Sequence, residues 1–105
     1  MRVRFSRQAR GDLKSIVEKI TEHNPQAAER MRRLLSEKAF SLSEHPERGA
    51  RLIGHPTARR LVVRPYLIIY RLDPTMVRIL RILHGKRDIG ALLTGESKPG
   101  PDQED

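Results

Sequence analysis

The feature that most constrains the fold is a succession of apolar runs in the second half of the chain, over residues 59–72 and 76–84. The runs are rich in Val, Ile and Leu, which favour strands. They are interrupted at Arg64-Pro65 and at Asp73-Pro74, and proline ends a strand because its φ is fixed and it has no N–H to donate. The pattern predicts three consecutive strands joined as an antiparallel meander.

The last of these strands contains two arginines, Arg78 and Arg81. Side chains alternate between the two faces of a strand, so an odd spacing predicts that these arginines lie on opposite faces. At least one face of the sheet is therefore expected to carry positive charge.

The first half of the chain predicts a short strand over residues 2–5 and then two helices. Ser6 is a good N-cap for the first helix, and Asn24-Pro25 supplies an N-cap and a first-turn proline for the second. Asp12, near the start of the first helix, is expected to complement the helix dipole. The second helix is expected to end around residues 45–49. Each helix has one apolar stripe at helical spacing: Ala9, Leu13, Ile16, Val17 and Ile20 in the first, and Ala28, Met31, Leu35, Ala39 and Leu42 in the second.

The remaining segments are predicted to be irregular or peripheral. Residues 50–57 have no clean period and are interpreted as a loop, and residues 85–93 as a last helical turn. Residues 94–105 are predicted to be an acidic disordered tail, which leaves one domain over residues 1–93. The predicted fold class is α+β, in the order β-α-α-β-β-β, with a helical hairpin packed on a small, mainly antiparallel sheet.

Composition excludes several classes of site. The 105 residues allow one compact domain and include no cysteine, so neither a disulfide framework nor a thiolate metal site is expected. The four histidines share no metal-binding spacing, and neither a metal nor a cofactor is predicted. No apolar run approaches the roughly 20 residues of a membrane span, and no secretory signal is recognised, so a cytoplasmic location without membrane association is expected.

The charge is concentrated and positive. The formal net charge is +8, but the last ten residues hold four acids and one lysine, which leaves 20 basic and 9 acidic residues in 1–95. From Arg48 to Arg87 there are ten Lys or Arg residues and one acid, Asp73. Such a surface attracts phosphate groups or an acidic protein.

A series of motifs resembles the RelE/ParE toxins of bacterial type II toxin–antitoxin systems. The resemblance runs from about Arg2 to Asp88 and depends on order and spacing rather than on one motif. It is carried by Ala9-x-x-Asp12-Leu13-x-x-Ile16, Asn24-Pro25-x-Ala27-Ala28, Leu42-x-x-x-Pro46-x-x-Gly49, Arg60-x-x-x-x-Pro65-Tyr66-x-Ile68-x-Tyr70, and Val77-x-Ile79-x-x-Ile82-x-His84-x-x-Arg87-Asp88. It implies a small basic toxin neutralised by a cognate antitoxin, which commonly has a DNA-binding domain.

The resemblance leaves two activities open. RelE-like members cut mRNA in the ribosome, whereas ParE-like members poison DNA gyrase by stabilising its cleaved-DNA state and cut nothing themselves. The mRNA-cutting relatives generally carry an arginine where this chain has Leu67, and Glu or Lys where it has residues 50–54. These departures favour the gyrase interpretation.

Each interpretation implies its own residues. A gyrase poison needs no catalytic residue, and its target-binding residues are expected to be Arg59, Arg60, Arg64, Arg81, Lys86 and Arg87. The antitoxin is expected to contact Arg78, Tyr66 and Tyr70. A ribonuclease would use His84, Arg81 and Arg60 as acid, base and phosphate-binding groups. A third alternative is a nucleic-acid-binding module without enzymatic activity, for which the base-stacking aromatic residues are scarce.

Overall fold

The structure is a computed structural model that describes residues 1–88. Residues 85–88 are helical, in agreement with the predicted last turn. The rest of that turn and the predicted acidic tail lie outside the described residues.

The protein is an α+β fold in which two helices pack on a five-stranded sheet, as predicted. The sheet order is β1-β5-β4-β3-β2. β1 runs parallel to β5, and the other neighbours are antiparallel. The elements are β1 Arg2–Phe5, α1 Arg7–Thr21, α2 Pro25–Phe40, β2 Ala50–Arg51, β3 Ala58–Val63, β4 Tyr66–Leu72 and β5 Met76–His84.

Both predicted helix starts are confirmed. The Ser6 hydroxyl oxygen accepts a hydrogen bond from the Ala9 N–H at 3.0 Å, and the Asn24 side chain accepts one from the Ala27 N–H at 3.0 Å. The α2 helix ends earlier than predicted, at Phe40, because the chain tightens into a 3₁₀ turn, Ser41–Ser43. This turn keeps Leu42, the last member of the predicted stripe, fully buried.

The segment predicted as a loop over residues 50–57 begins with a short strand. β2 pairs with β3, so that Ala50 lies opposite Arg60. Tyr70 holds the chain just before β2 against the sheet. Its hydroxyl donates to the Pro46 carbonyl at 2.7 Å and accepts from the Gly49 N–H at 2.9 Å. A Cβ at Gly49 would stand 2.5 Å from the Arg60 carbonyl oxygen, so the close approach requires glycine.

The sheet has a different apolar cluster on each face. The face under the helices, here called the helix face, contributes β-strand residues such as Ile68, Val77 and Ile79 to the main core. The opposite face, here called the open face, holds a smaller cluster of Leu52, Ala58, Leu67, Ile69 and Leu83. The alternation of side chains along β3 and β4 therefore assigns each strand residue to one face.

The prediction that Arg78 and Arg81 lie on opposite faces is wrong. Arg78 pairs with Arg71 and Arg81 pairs with Ile69, and these two β4 residues are two positions apart. Leu80 is the extra residue, because the register shifts where Ile79 pairs with Tyr70. This β-bulge reverses the alternation, so both arginines start from the open face.

Replacing Tyr70 by Phe is expected to lower the free energy of unfolding by about 1–3 kcal/mol, because the buried Gly49 N–H and the partly buried Pro46 carbonyl lose their partner. Tyr66→Phe is the matched control, since within residues 1–88 the Tyr66 hydroxyl makes no hydrogen bond, and we expect a change within about 0.5 kcal/mol. Urea denaturation of the two variants measures the difference, and equal values would contradict the assigned role of the Tyr70 hydroxyl.

Tyr70→Phe and Tyr66→Phe should also differ in the way their stability changes at high pH. Burial raises the pKa of the Tyr70 phenol above its ordinary value of 10.0. The folded state therefore holds the phenolic proton more tightly than the unfolded chain, and this contribution to stability is present below pH 10 and is lost as the pH rises above it. Tyr70→Phe should remove that part of the alkaline loss of stability, and Tyr66→Phe should retain it.

Candidate functional site

Three of the predicted target-binding residues lie at one end of the sheet. Arg64 is in the β3–β4 connection, and Lys86 and Arg87 follow the end of β5. The Gly85 N–H donates to the Pro65 carbonyl at 2.8 Å, which ties the two segments together. All three side chains are exposed, and within residues 1–88 none of them forms an ion pair. We call Arg64, Lys86 and Arg87 the turn-end cluster.

His84 begins the helical residues 85–88 and caps them. Its Nδ1 accepts from the backbone N–H groups of Lys86 at 3.2 Å and Arg87 at 3.3 Å. The Asp88 carboxylate accepts from the His84 N–H at 2.8 Å, a reciprocal arrangement like a capping box. An imidazole that accepts at Nδ1 carries its proton on Nε2. The ring is held further by an edge-on contact with Tyr66, at 5.6 Å between centroids.

Arg81 is bound to Asp12 of α1. Its Nε and Nη2 donate to the two carboxylate oxygens at 2.8 and 3.2 Å, and the same carboxylate accepts from the Ile82 N–H at 2.9 Å. Both side chains are mostly buried, with 28% of Arg81 and 19% of Asp12 exposed. Sequence reasoning missed this role for Asp12, which lies beyond the first turn of α1 and so does not serve the helix dipole.

The other two predicted target-binding residues differ in their surroundings. Arg59 donates to the carbonyls of Gly49 at 2.7 Å and Glu47 at 3.3 Å, so it fastens the segment before β2. Arg60 is exposed and lies on the open face, opposite Ile69. Of these two residues, only Arg60 remains available to a partner.

The three predicted antitoxin contacts are also separated. Tyr70 has no exposed surface and its hydroxyl is engaged, which gives it a structural role. Tyr66 is 8% exposed on the helix face, and Arg78 lies on the open face with 43% of its side chain exposed.

Tyr66 lines an open cleft of about 620 Å³ between α1 and the ends of β4 and β5. The floor and walls combine apolar and charged side chains, among them Ile16, Ile20, Ile82, Lys19, His84 and Arg87. A cleft of this size and mixed lining suits the apolar side chains of a protein segment with a polar margin.

The groups proposed for a ribonuclease do not meet in one place. His84 pairs with Tyr66 and so belongs to the helix face, whereas Arg60 lies on the open face. Arg81 is held by Asp12 at the outer edge of β5. General acid–base catalysis requires such groups within hydrogen-bonding reach of one substrate.

Two further kinds of site find no support in the described residues. Within residues 1–88, no three His, Asp or Glu side chains are grouped so as to hold a metal ion. Neither helix in this part of the chain has the length and apolar character needed to cross a bilayer.

Removing the Asp12 carboxylate is expected to destabilise the fold in proportion to the bonds lost. Asp12→Ala should lower the free energy of unfolding by about 2–3 kcal/mol, while Asp12→Asn should cost less because its amide oxygen still accepts from the Ile82 N–H. Glu18→Ala, on an exposed part of α1, is the control. A double-mutant cycle with Arg81→Ala should give a coupling energy of about 1 kcal/mol, and additive effects would contradict the ion pair.

The His84 cap predicts a difference between two substitutions. His84→Asn should keep the start of the terminal helix, because Asn is a good N-cap, whereas His84→Ala should expose the Lys86 and Arg87 amides. Hydrogen exchange of those two amides measures the effect. Equal exchange in both variants would show that the Nδ1 contacts contribute nothing.

Comparison with known proteins agrees with the resemblance drawn from motif spacing. Residues 3–89 match the sequence model of a family described as the ParE toxin of the type II toxin–antitoxin system, parDE. Toxin RelE2 of Caulobacter vibrioides is 41% identical over 80 residues, covering 76% of this chain and 90% of the relative. Toxin RelE1 of the same organism is 37% identical over 87 residues, covering 79% and 91%.

Solved structures support the same assignment. A chain of the chromosomal ParDE TA system from P. aeruginosa has a TM-score of 0.72 at 25% identity, with 80% of this chain and 95% of that chain covered. A chain of the RelBE2 toxin–antitoxin complex from Mycobacterium tuberculosis has a TM-score of 0.59 at 30% identity, with 79% and 88% covered. The chain therefore belongs to the ParE toxin family, within the RelE/ParE superfamily of type II toxin–antitoxin systems.

Proposed function

We propose that this toxin is ParE-like and inhibits DNA gyrase by binding to it and stabilising its cleaved-DNA state. The observation that carries the proposal is the separation of His84, Arg81 and Arg60. The ring nitrogen of His84 serves a helix cap, and the guanidinium of Arg81 serves Asp12. Leu67, at the position where mRNA-cutting relatives generally have an arginine, is buried in the open-face cluster. Inhibition by binding requires no such convergence.

The turn-end cluster is the proposed contact with the target. Arg64, Lys86 and Arg87 are exposed and unpaired within residues 1–88, so their charges are available. Gyrase with its bound DNA offers phosphates and acidic side chains, and exposed cations attract both over several ångströms. Arg60, exposed on the open face, is the second proposed contact.

The cognate antitoxin is proposed to neutralise the toxin by occupying the cleft beside α1. The cleft contains Tyr66, and Arg87 of the turn-end cluster also lines it. A partner segment in the cleft would therefore cover or displace part of the target-binding surface. Disordered segments that fold on binding commonly lay an amphipathic helix or a strand into such a groove.

The second candidate function is a ribosome-dependent mRNA endonuclease. It is favoured by the names of the two Caulobacter relatives, Toxin RelE2 and Toxin RelE1. On this alternative His84, Arg81 and Arg60 would have to act on the mRNA after a rearrangement, because they lie on different parts of the sheet.

A gyrase supercoiling assay with toxin released from its antitoxin distinguishes the two functions. We expect inhibition, linear DNA after protein digestion, and loss of both effects when antitoxin is added back. The triple variant Arg64→Gln/Lys86→Gln/Arg87→Gln should weaken inhibition at least about tenfold, because three charge contacts are lost. Lys14→Gln/Arg30→Gln/Lys38→Gln removes the same charge from exposed positions of the helical hairpin and should inhibit as the parent does.

A different outcome of these assays would contradict the gyrase proposal. Unchanged supercoiling with well-folded toxin, together with cleavage of mRNA in a translating extract, would replace the gyrase proposal with the ribonuclease.

A further inference from the structure

Three arginines form a row across the open face of the sheet. Arg4 of β1 lies opposite Arg78 of β5, and Arg78 lies opposite Arg71 of β4. Neighbouring strands are about 4.8 Å apart, so the three residues follow one another at that spacing. The preceding and following positions on these strands, including Phe5 and Ile79, belong to the core under the helices. We call Arg4, Arg78 and Arg71 the arginine row.

The row is electrostatically unfavourable by itself, because like charges opposite each other on neighbouring strands destabilise a sheet. One acid compensates it in part. The Asp73 carboxylate lies 3.2 Å from the Nε of Arg71 and 4.0 Å from the Nε of Arg78. Arg4 is exposed and has no ion-pair or hydrogen-bond partner for its side chain within residues 1–88. Three positive charges therefore face a single negative one.

The position of the Asp73 carboxylate also indicates which kind of ligand the arginine row can bind. Its carboxylate already bridges two of the three guanidinium groups, so the spacing of the row suits carboxylates. The Nε of Arg78 is buried and has no hydrogen-bond partner, while 43% of the side chain is exposed. Two further carboxylates beside Arg4 and Arg78 would balance the two positive charges that Asp73 leaves.

The surroundings favour a protein segment over a nucleic acid. Met76 and Leu80 of β5 flank Arg78 on the same face and are half-buried, and Leu80 packs against the open-face cluster. The phosphates of a nucleic acid would be repelled by the Asp73 carboxylate, and they would make no favourable contact with Met76 and Leu80. An amphipathic segment with two acidic residues matches both the charge and the apolar margin.

We propose that the arginine row binds two carboxylates of an acidic segment of the antitoxin. This inference rests on the antitoxin partnership of the proposed function, but it assigns a different surface from the cleft. The cleft lies between α1 and the sheet, and the row lies on the opposite face. The excess charge of the row is thus retained for partner binding at the expense of the stability of the free toxin.

The test compares Arg4→Gln/Arg78→Gln with the parent toxin by measuring the affinity for the separately purified cognate antitoxin. We expect about tenfold weaker binding and a shallower dependence of affinity on salt, since two charge contacts are lost. Arg30→Gln/Lys38→Gln removes two exposed positive charges from α2 and should bind as the parent does. The same variants are titrated with a single-stranded oligonucleotide of 20 nucleotides.

Thermal unfolding separates a binding role from a structural one. Removing like charges from the row should leave the unfolding temperature of Arg4→Gln/Arg78→Gln unchanged or higher. Unchanged antitoxin affinity, a fall in unfolding temperature that accounts for the weaker binding, or a loss confined to the oligonucleotide would each overturn the proposal. Failure of the parent toxin to bind the antitoxin would instead remove the partnership itself, and gyrase inhibition by free toxin does not depend on either result.

Discussion

The hydrogen bonding of β5 is the constraint on which the rest of the structure depends. β1 pairs with β5 only as far as Phe5 and Ile79, yet β5 continues to His84. Ser6 and α1 complete the edge: the Ser6 N–H donates to the Ile79 carbonyl, the Ser6 hydroxyl donates to the Leu80 carbonyl, and the Asp12 carboxylate accepts from the Ile82 N–H. An uncovered strand edge would leave these groups unsatisfied and open to another chain. The hydrogen bonds to this edge therefore fix the position of α1 across β5, and with it the position of the helical hairpin.

This arrangement divides the arginines of the protein into structural and available groups. Arg81 completes the contact of α1 with β5, and Arg59 holds the segment that leads into β2. The turn-end cluster is exposed at one end of the sheet, and the arginine row, near the other end, is exposed at Arg4 and partly exposed at Arg71 and Arg78. Because the register shifts at Leu80, the different surroundings of Arg78 and Arg81 could not have been assigned from the alternation of β5 alone. Which arginines remain available to a partner thus depends on how residues pair in the folded protein, and the composition alone does not determine it.

The predictable parts of the fold are those encoded locally. The caps at Ser6 and Asn24, the helix stripes and the prolines that separate β3, β4 and β5 act within a few residues, and each was predicted. The parallel pairing of β1 with β5 and the contact of Asp12 with Ile82 join residues about seventy positions apart. No local pattern specifies such partners. The register shift at Leu80 is equally invisible in a run of alternating apolar residues and arginines, which is why the faces of Arg78 and Arg81 were predicted incorrectly.

The distribution of the basic residues bears on the choice between cutting and binding. Catalysis gains its rate from groups held within a few tenths of an ångström of a productive geometry, and a displacement of 1 Å can cost about a hundredfold. Long-range attraction tolerates much looser placement, because charge acts over roughly a Debye length of 8 Å at physiological ionic strength. In this protein Arg81 and His84 have their polar groups directed to Asp12 and to backbone amides. The cations that face solvent lie in separate groups, which fits the proposed inhibition by binding.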